Sequence, residues 1–101
     1  MKYLKTHYGK AVIDSSDSEE IEKNHKIELE YYQTENDATR KPYGIEIVKK
    51  NIEDSQIYIE SKTINEICDK EQKNNNLLKV LMNNKVTPVS LEDVLQDLTM
   101  F

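Results

Sequence analysis

Apolar and polar residues alternate with a period of two through the first half of the chain. The alternation is clearest in residues 26–32, 43–48 and 56–60, which are rich in β-branched and aromatic side chains. Because successive side chains of a strand point to opposite faces of a sheet, this pattern predicts three half-buried antiparallel strands. A fourth, less regular strand is expected within residues 2–13, where Gly9 marks a bulge or a bend.

Polar segments connect these predicted strands. Residues 51–54 suit a hairpin turn, and residues 36–42 form a longer loop. Residues 14–24 combine Asp, Glu and Ser without apolar periodicity, and they predict a flexible acidic loop.

In the second half of the chain the apolar residues recur with the spacing of a helix. Positions i, i+3, i+4 and i+7 of one helix face are filled by Leu91, Val94, Leu95 and Leu98. We therefore predict an amphipathic helix with Ser90 as its N-cap. An earlier helix is predicted from Lys70 to Asn83, with Asp69 as its cap and with three weak helix formers, the Asn residues at 74–76.

The order of these elements defines the fold class. We predict an α+β fold in which an antiparallel β-meander of three to four strands is followed by two C-terminal helices packed on one face. The length predicts a single domain over residues 1–101. Leu, Ile, Val and Phe together number 25, which is enough for a modest core.

Charge is unevenly distributed along this acidic chain. Nineteen acidic and fourteen basic residues give a formal net charge of −5, and only one of the basic residues is Arg. Residues 14–37 carry −7 and residues 86–101 carry −3, whereas residues 1–13 carry +3 and residues 38–85 carry +2. Since phosphate neutralisation needs a basic surface, we do not expect nucleic-acid binding.

Three features bear on the cellular location. The longest apolar run, residues 80–82, is far too short to span a membrane. Residues 1–7 lack the apolar region of a signal peptide. The single cysteine, Cys68, excludes an internal disulfide and fits a reducing compartment, so we expect a cytoplasmic protein.

Residues suited to catalysis or metal binding are scarce. His7, His25 and Cys68 are the only soft metal ligands, and no two of them have the spacing of a zinc site. With Gly9 and Gly44 as its only glycines, the chain has no glycine-rich phosphate loop. The sequence therefore predicts no catalytic residue, no cofactor and no metal site.

The predicted outer face of the sheet is the first candidate for partner binding. Acidic and tyrosine side chains lie opposite the apolar positions of their strands: Glu28, Glu30, Tyr32, Glu46, Tyr58 and Glu60. Such a surface suits a basic partner, since tyrosine is frequent in interfaces and opposite charges attract. An ordinary solvated sheet face would show the same alternation, so both interpretations stay open.

The end of the last predicted helix is the second candidate for partner binding. Met100 and Phe101 extend beyond its apolar stripe. In order of preference, they close the edge of the core, form a homodimer or hold a partner.

Two strings of residues carry a resemblance to a known family. Residues 43–50, YGIEIVKK, and residues 86–98, VTPVSLEDVLQDL, resemble a family of small proteins from clostridia and related Gram-positive bacteria. That family is a domain of unknown function, and the resemblance covers most of the chain. It implies a cytoplasmic bacterial protein, and it offers no activity and no catalytic residues to transfer.

The leading functional hypothesis is a non-enzymatic protein-interaction or regulatory module of the bacterial cytosol. One alternative is a small ligand-binding protein or enzyme with a carboxylate-lined pocket between sheet and helices. Another alternative is an acidic mimic of nucleic acid that occupies a basic protein.

Overall fold

A computed structural model describes residues 3–14, 16 and 25–99 of the chain. Four strands are followed by two helices: β1 Tyr3–Ile13, β2 Lys26–Asn36, β3 Tyr43–Glu53, β4 Gln56–Cys68, α1 Glu71–Asn83 and α2 Pro88–Thr99. All four strands form one antiparallel sheet in the order β1-β2-β3-β4. The predicted α+β fold, a meander followed by two helices, is confirmed. Most of the predicted acidic loop over residues 14–24 lies outside the described residues.

The register of the strands assigns every side chain to one of two faces. Directly opposed residues of an antiparallel pair point to the same side of the sheet. Tyr31 of β2 is opposite Ile47 of β3, and Ile45 of β3 is opposite Ile64 of β4. Both helices pack on this side, which we call the inner face, and we call the opposite side the outer face.

The core lies between the centre of the inner face and the two helices. The sheet contributes four fully buried hydrophobic side chains: Leu29, Tyr31, Ile45 and Ile47. The helices contribute four more that are buried against them: Leu78, Leu81, Leu91 and Leu95. Burial of a side chain of this size stabilises a fold by about 1.5–3 kcal/mol, so this cluster is the main favourable term.

Tyr31 also fixes the connection between the two helices. Its hydroxyl donates a hydrogen bond of 2.9 Å to the carbonyl oxygen of Val86, which lies between α1 and α2. Burial raises the pKa of Tyr31 well above its ordinary value of 10, so the hydroxyl stays a donor at every physiological pH. The sheet thereby holds the interhelical connection at a defined position.

Asn74 links α1 to the sheet, although Asn is a weak helix former. Its buried side-chain amide donates to the carbonyl oxygen of Gly44 at 2.9 Å and to Gln33 Oε1 at 3.2 Å. Gln33 in turn donates to Glu71 Oε2 at 3.0 Å. The Asn that lowers helix propensity therefore provides a polar contact inside the core, and the expected helix forms despite it.

The N-cap predicted for each helix was wrong. α2 begins at Pro88, two residues before Ser90, because the fixed φ of proline suits the first turn of a helix. Ser90 lies inside the helix, and its N–H donates to the carbonyl oxygen of Thr87 at 3.1 Å. The N-cap of α1 is Lys70 without a side-chain cap, and Asp69 instead lies 4.0 Å from Lys73.

The strands extend further than the alternation indicates. β3 continues to Glu53, so the hairpin turn is formed by Asp54 and Ser55 instead of residues 51–54. Asp54 takes a positive φ of 55°, which Asp tolerates better than most residues. β4 runs through Cys68, a residue that the sequence places just before the first helix.

Both edge strands contain an irregularity. β1 shifts register between His7 and Gly9, as the position of Gly9 predicted. β4 accommodates extra residues between Ile64 and Cys68, and Glu66 takes a φ of 58° there. Such bulges bend a strand locally and end its regular pairing.

The strands are about twice as long as the helices. A strand of 13 residues such as β4 spans about 44 Å, whereas a helix of 13 residues such as α1 spans about 20 Å. The helices therefore cover only part of the inner face. The hairpin of β3 and β4 extends beyond them, and its inner-face residue Tyr58 is 53% exposed.

Gly44 is expected to be the most sensitive glycine of the sheet. A Cβ atom at this position would lie 2.5 Å from the backbone oxygen of Ile64 and 2.5 Å from Thr34 Oγ1. Because the backbone of the bulge cannot move away cheaply, Gly44→Ala should lower the free energy of unfolding by about 1–3 kcal/mol. Urea unfolding measures this loss.

Gly9→Ala is the matched control. A Cβ atom there would meet only the flexible end of Met82, at 2.5 Å from its sulfur, and this side chain can adopt another rotamer. We expect a smaller loss of stability than for Gly44→Ala. An equal or larger loss would contradict the assignment of Gly44 as the tighter position.

Candidate functional site

Cross-strand ion pairs occupy the outer face of the sheet. Lys5 Nζ lies 2.7 Å from Glu46 Oε2, and Lys10 Nζ pairs with Glu28 Oε2. His7 Nε2 is hydrogen-bonded with Glu30 Oε2. The strand β1 thus faces its cationic and imidazole side chains toward the glutamates of β2 and β3.

These contacts change the protonation of the carboxyl groups. The hydrogen bond from Lys10 lowers the pKa of Glu28 and raises that of Lys10. Burial works against the ionised form of Glu46, but the hydrogen bonds from Lys5 and Thr63 outweigh it and lower the pKa of this residue. Both glutamates are therefore ionised and paired at neutral pH.

Tyr32 lies between two side chains of β1. Lys5 Nζ is 4.5 Å from the centre of the Tyr32 ring, a cation–π distance. His7 approaches the same ring edge-on, with the ring centres 5.2 Å apart. The aromatic ring is therefore half-covered by residues of the same chain.

The outer face brings together four of the six predicted sheet residues. Glu28, Glu30, Tyr32 and Glu46 are neighbours on this face. The side chains of the three glutamates are only 14–18% exposed. The face carries balanced charge where the sequence alone predicts an acidic surface, because β1 supplies the matching cations.

Tyr58 and Glu60 do not belong to that face, contrary to the prediction. They are opposite Asn51 and Lys49, and those residues share the inner face with Ile27 and Leu29. Because part of β4 extends beyond the helices, its apolar residues there do not identify the face of the sheet that packs on the helices. Ile57 and Ile59 instead lie on the outer face, where they are 61% and 68% exposed.

The other two predicted contact residues, Met100 and Phe101, lie outside the described residues. The last residue of α2 whose side chain is described is Leu98. Leu98 packs against the core and also lines a groove beside α1. That groove is the larger of two concave surfaces described below.

The groove has a volume of about 640 Å³ and lies where the two helices meet the end of β4. The loop between β2 and β3, the end of β4, one face of α1 and the last turn of α2 each supply part of its lining: Arg40, Lys41, Ile67, Cys68, Asp69, Lys73, Asn76, Leu77, Val80 and Leu98. Four of these residues are apolar and three are cations. A volume of this size is typical of ligand sites.

Each segment of the lining is positioned by local structure. On α1, Lys73, Asn76, Leu77 and Val80 have the spacing i, i+3, i+4 and i+7, so they form one helix face. This face is adjacent to the stripe that enters the core. The spacing is visible in the sequence, but it does not by itself show which elements this face will meet.

The loop between β2 and β3 is held closed by hydrogen bonds from Asn36. Its backbone N–H donates to the carbonyl oxygen of Pro42 at 2.7 Å, and its side-chain oxygen accepts the N–H of Ala38 at 3.1 Å. Asn at the start of a turn often makes this second contact. The closed loop places Arg40 and Lys41 at the edge of the groove.

The charges of the groove differ from those of the rest of the chain. Arg40 and Lys41 are exposed, and neither has an ion-pair partner within the described part of the chain. Lys73 is 71% exposed and lies 4.0 Å from Asp69, the only carboxylate in the lining. The groove is therefore basic in a chain with a net charge of −5.

Cys68 lines the groove as a buried thiol. It is 7% exposed, and burial raises the pKa of this thiol above its ordinary value. Lys73 and Lys41 oppose that shift, whereas Asp69 adds to it. The protonated thiol therefore behaves as a small apolar residue.

The soft metal ligands lie apart from one another. His7 contacts Glu30 on the outer face, His25 lies 3.7 Å from Asp54, and Cys68 lines the groove. Over residues 3–14, 16 and 25–99, no three His, Cys, Asp or Glu side chains are grouped to hold a metal ion.

A smaller cleft of about 340 Å³ lies between α2 and β4. Glu66 and Glu92 line it, together with Lys41 and Gln96. Both carboxyl groups are exposed. This cleft is the nearest counterpart of the carboxylate-lined pocket that we considered as an alternative.

Together the meander, the two helices and the basic, partly apolar groove define a small α+β protein with a concave candidate site. Its sequence belongs to the DUF6514 family, a family of unknown function whose model matches residues 10–100. No curated protein and no solved structure matches the chain. Among the described residues, neither helix has the length and apolar content needed to cross a membrane.

The ion pairs of the outer face predict a loss of stability in acid. Because the pKa values of Glu28 and Glu46 are lowered in the folded state, their contribution is complete above the ordinary Glu pKa of about 4.3. It is lost as the pH falls through the lowered values. Urea unfolding at neutral and acidic pH should show Glu28→Gln/Glu46→Gln less stable than wild type at neutral pH and converging with it in acid.

Glu53→Gln serves as the control for this measurement. Glu53 lies at the end of β3 and makes no ion pair within the described part of the chain. This variant should keep the wild-type dependence on pH. If the double variant kept it as well, the outer-face ion pairs would not be the source of the acid sensitivity.

Proposed function

We propose that this chain is a non-enzymatic interaction module that binds a short, acidic, amphipathic segment of a partner protein in the groove. The observation that carries the proposal is the composition of the groove. An apolar surface surrounded by cations occurs in a chain that is otherwise acidic. The shape and the charge together favour an anionic partner with one apolar face.

The apolar part of the groove suits one face of a helix. Leu77 and Leu98 are half-buried, and Val80 is 40% exposed without a described neighbour that covers it. Grooves of this kind bind amphipathic helices through apolar residues at i, i+3, i+4 and i+7. The partner segment would cover Val80 and gain apolar burial of its own.

The cations of the groove favour acidic residues next to that apolar face. Arg40 offers a planar guanidinium that can bind a carboxylate through two hydrogen bonds. Lys41 and Lys73 add point charges on either side. Because the remaining surface is net negative, a basic partner would be attracted elsewhere and an acidic one is attracted here.

The outer face of the sheet offers less support for partner binding. Its glutamates are already paired with Lys5, His7 and Lys10 of the same chain. A basic partner would have to replace these contacts, and a mimic of nucleic acid would need unpaired negative charge. The groove is therefore the better supported surface.

The same proposal includes a cellular setting. The single cysteine is a buried free thiol, as is usual in a reducing cytosol. The strings at residues 43–50 and 86–98 resemble proteins of clostridia and related Gram-positive bacteria. We accordingly place the module in the cytosol of such a bacterium, in a regulatory role.

Two model peptides test the proposal. Both place Leu at i, i+3, i+4 and i+7, and the remaining positions are mainly Glu in one and mainly Lys in the other. Fluorescence anisotropy with the full chain should show binding of the Glu peptide, weaker binding at high salt and little binding of the Lys peptide. Arg40→Glu/Lys41→Glu should weaken binding roughly tenfold or more.

A matched variant separates the groove from net charge. Lys50→Glu/Lys79→Glu makes the same change in total charge at exposed positions outside the groove lining. It should bind the Glu peptide nearly as wild type does, whereas Val80→Asp should lose binding. Equal binding of both peptides, or wild-type affinity of Arg40→Glu/Lys41→Glu, would show that the groove is not the binding surface.

A further inference from the structure

The strand β4 forms one edge of the sheet. β3 pairs with it on one side, and no described strand pairs with it on the other. From Gln56 to Ile64 its register with β3 is continuous, and the irregularity begins only after Ile64. Nine consecutive residues without Pro therefore present an open edge, which is a template for pairing with another strand.

This edge also exposes three consecutive apolar and aromatic side chains. Ile57, Tyr58 and Ile59 are 61%, 53% and 68% exposed. Strand-forming residues of this size are normally covered by cross-strand neighbours. Their exposure on an open edge indicates that a further strand belongs beside them.

The two charged residues of the edge identify the partner. Glu60 and Lys62 lie on either side of Ser61 and point to the same face of the sheet. If a second copy pairs in antiparallel orientation with Ser61 opposite Ser61, each Glu60 lies opposite a Lys62. The edge is therefore complementary to itself in charge.

Neighbouring registers lack this match. With the symmetry axis at Glu60 or at Lys62, like charges lie directly opposite each other, which destabilises a sheet. With the axis at Ile59, Glu60 lies opposite Tyr58, so neither Glu60 nor Lys62 faces a residue of opposite charge. Charge alone therefore selects the register centred on Ser61.

The same register covers the exposed apolar side chains. Ile59 comes to lie opposite Thr63 of the second copy, and Tyr58 comes to lie opposite its Ile64. Ile64 lines the cleft beneath α2, and Glu92 of α2 lies 3.9 Å from Lys62. The uncovered hairpin of each copy is thus placed next to the helix-covered end of the other.

The opposite edge of the sheet does not offer this match. β1 carries Lys5 and Lys10 but no acidic residue, and its register shifts between His7 and Gly9. Pairing of β1 with a second β1 would place cations close together across a bulged edge. Lysines and bulges are typical protection against edge-to-edge association.

We propose that the chain forms a symmetric dimer in which β4 pairs with β4 of a second copy around Ser61, giving one continuous sheet of two meanders. The contact is isologous, so it closes after two copies and does not extend into a fibre. It uses residues 57–65 and is independent of the occupant proposed for the groove.

Charge reversal tests the register. Light scattering of the full chain over a range of concentrations should give a mass of twice 11.8 kDa at the upper end. Glu60→Lys and Lys62→Glu should each raise the dissociation constant roughly tenfold or more, because opposed charges become like charges. The combined variant Glu60→Lys/Lys62→Glu should restore the dimer, and Asp93→Lys, a reversal on α2, should leave it unchanged.

Cross-linking provides a second measurement that does not depend on affinity. In a Cys68→Ala background, Ser61→Cys places two thiols directly opposite each other, and oxidation should link the dimer. Thr63→Cys lies on the same face but away from the axis and should link slowly or not at all. A monomer at all concentrations, a dimer that survives both single reversals, or equal linking of the two cysteine variants would overturn the proposal.

Discussion

The burial of the centre of the inner face under two short helices is the constraint on which the rest of the structure depends. Leu29, Tyr31, Ile45 and Ile47 are fully buried there. The hydrogen bond from Tyr31 to the carbonyl of Val86 fixes the turn between the helices at this place. Anchoring the two helices here also sets where they end and which parts of the sheet they leave uncovered.

The difference in length between strands and helices creates the groove and leaves the hairpin of β3 and β4 uncovered. Helices of about 20 Å cannot cover strands of about 44 Å, and the molecule is 45 Å long in its largest dimension. At one end, α1, α2 and the end of β4 enclose the groove. At the other, the hairpin of β3 and β4 remains uncovered. The groove and the uncovered hairpin thus have the same geometric origin, whereas the open edge of β4 follows from its last place in the strand order.

The local charge of the surface is set by ion pairs between strands more than by the net charge of the chain. The N-terminal strand supplies Lys5, His7 and Lys10 to the glutamates of β2 and β3, so an acidic segment and a basic segment neutralise each other. Two cations that have no ion-pair partner in the described part of the chain, Arg40 and Lys41, lie at the groove. A chain with net charge −5 therefore presents a locally basic site.

The sequence by itself determined the type and order of the elements, because the periods of two and 3.6 residues are local properties of strands and helices. It also predicted the bulge at Gly9 and the side chains of Glu28, Glu30, Tyr32 and Glu46 that share a face. Only the tertiary structure decided that Tyr58 and Glu60 lie on the inner face, since the register to β3 sets this and the apolar residues of β4 are not in the core. The groove likewise required the fold, because its lining comes from residues 40–41, from residues 67–80 and from Leu98, and packing over such separations leaves no local pattern in the sequence.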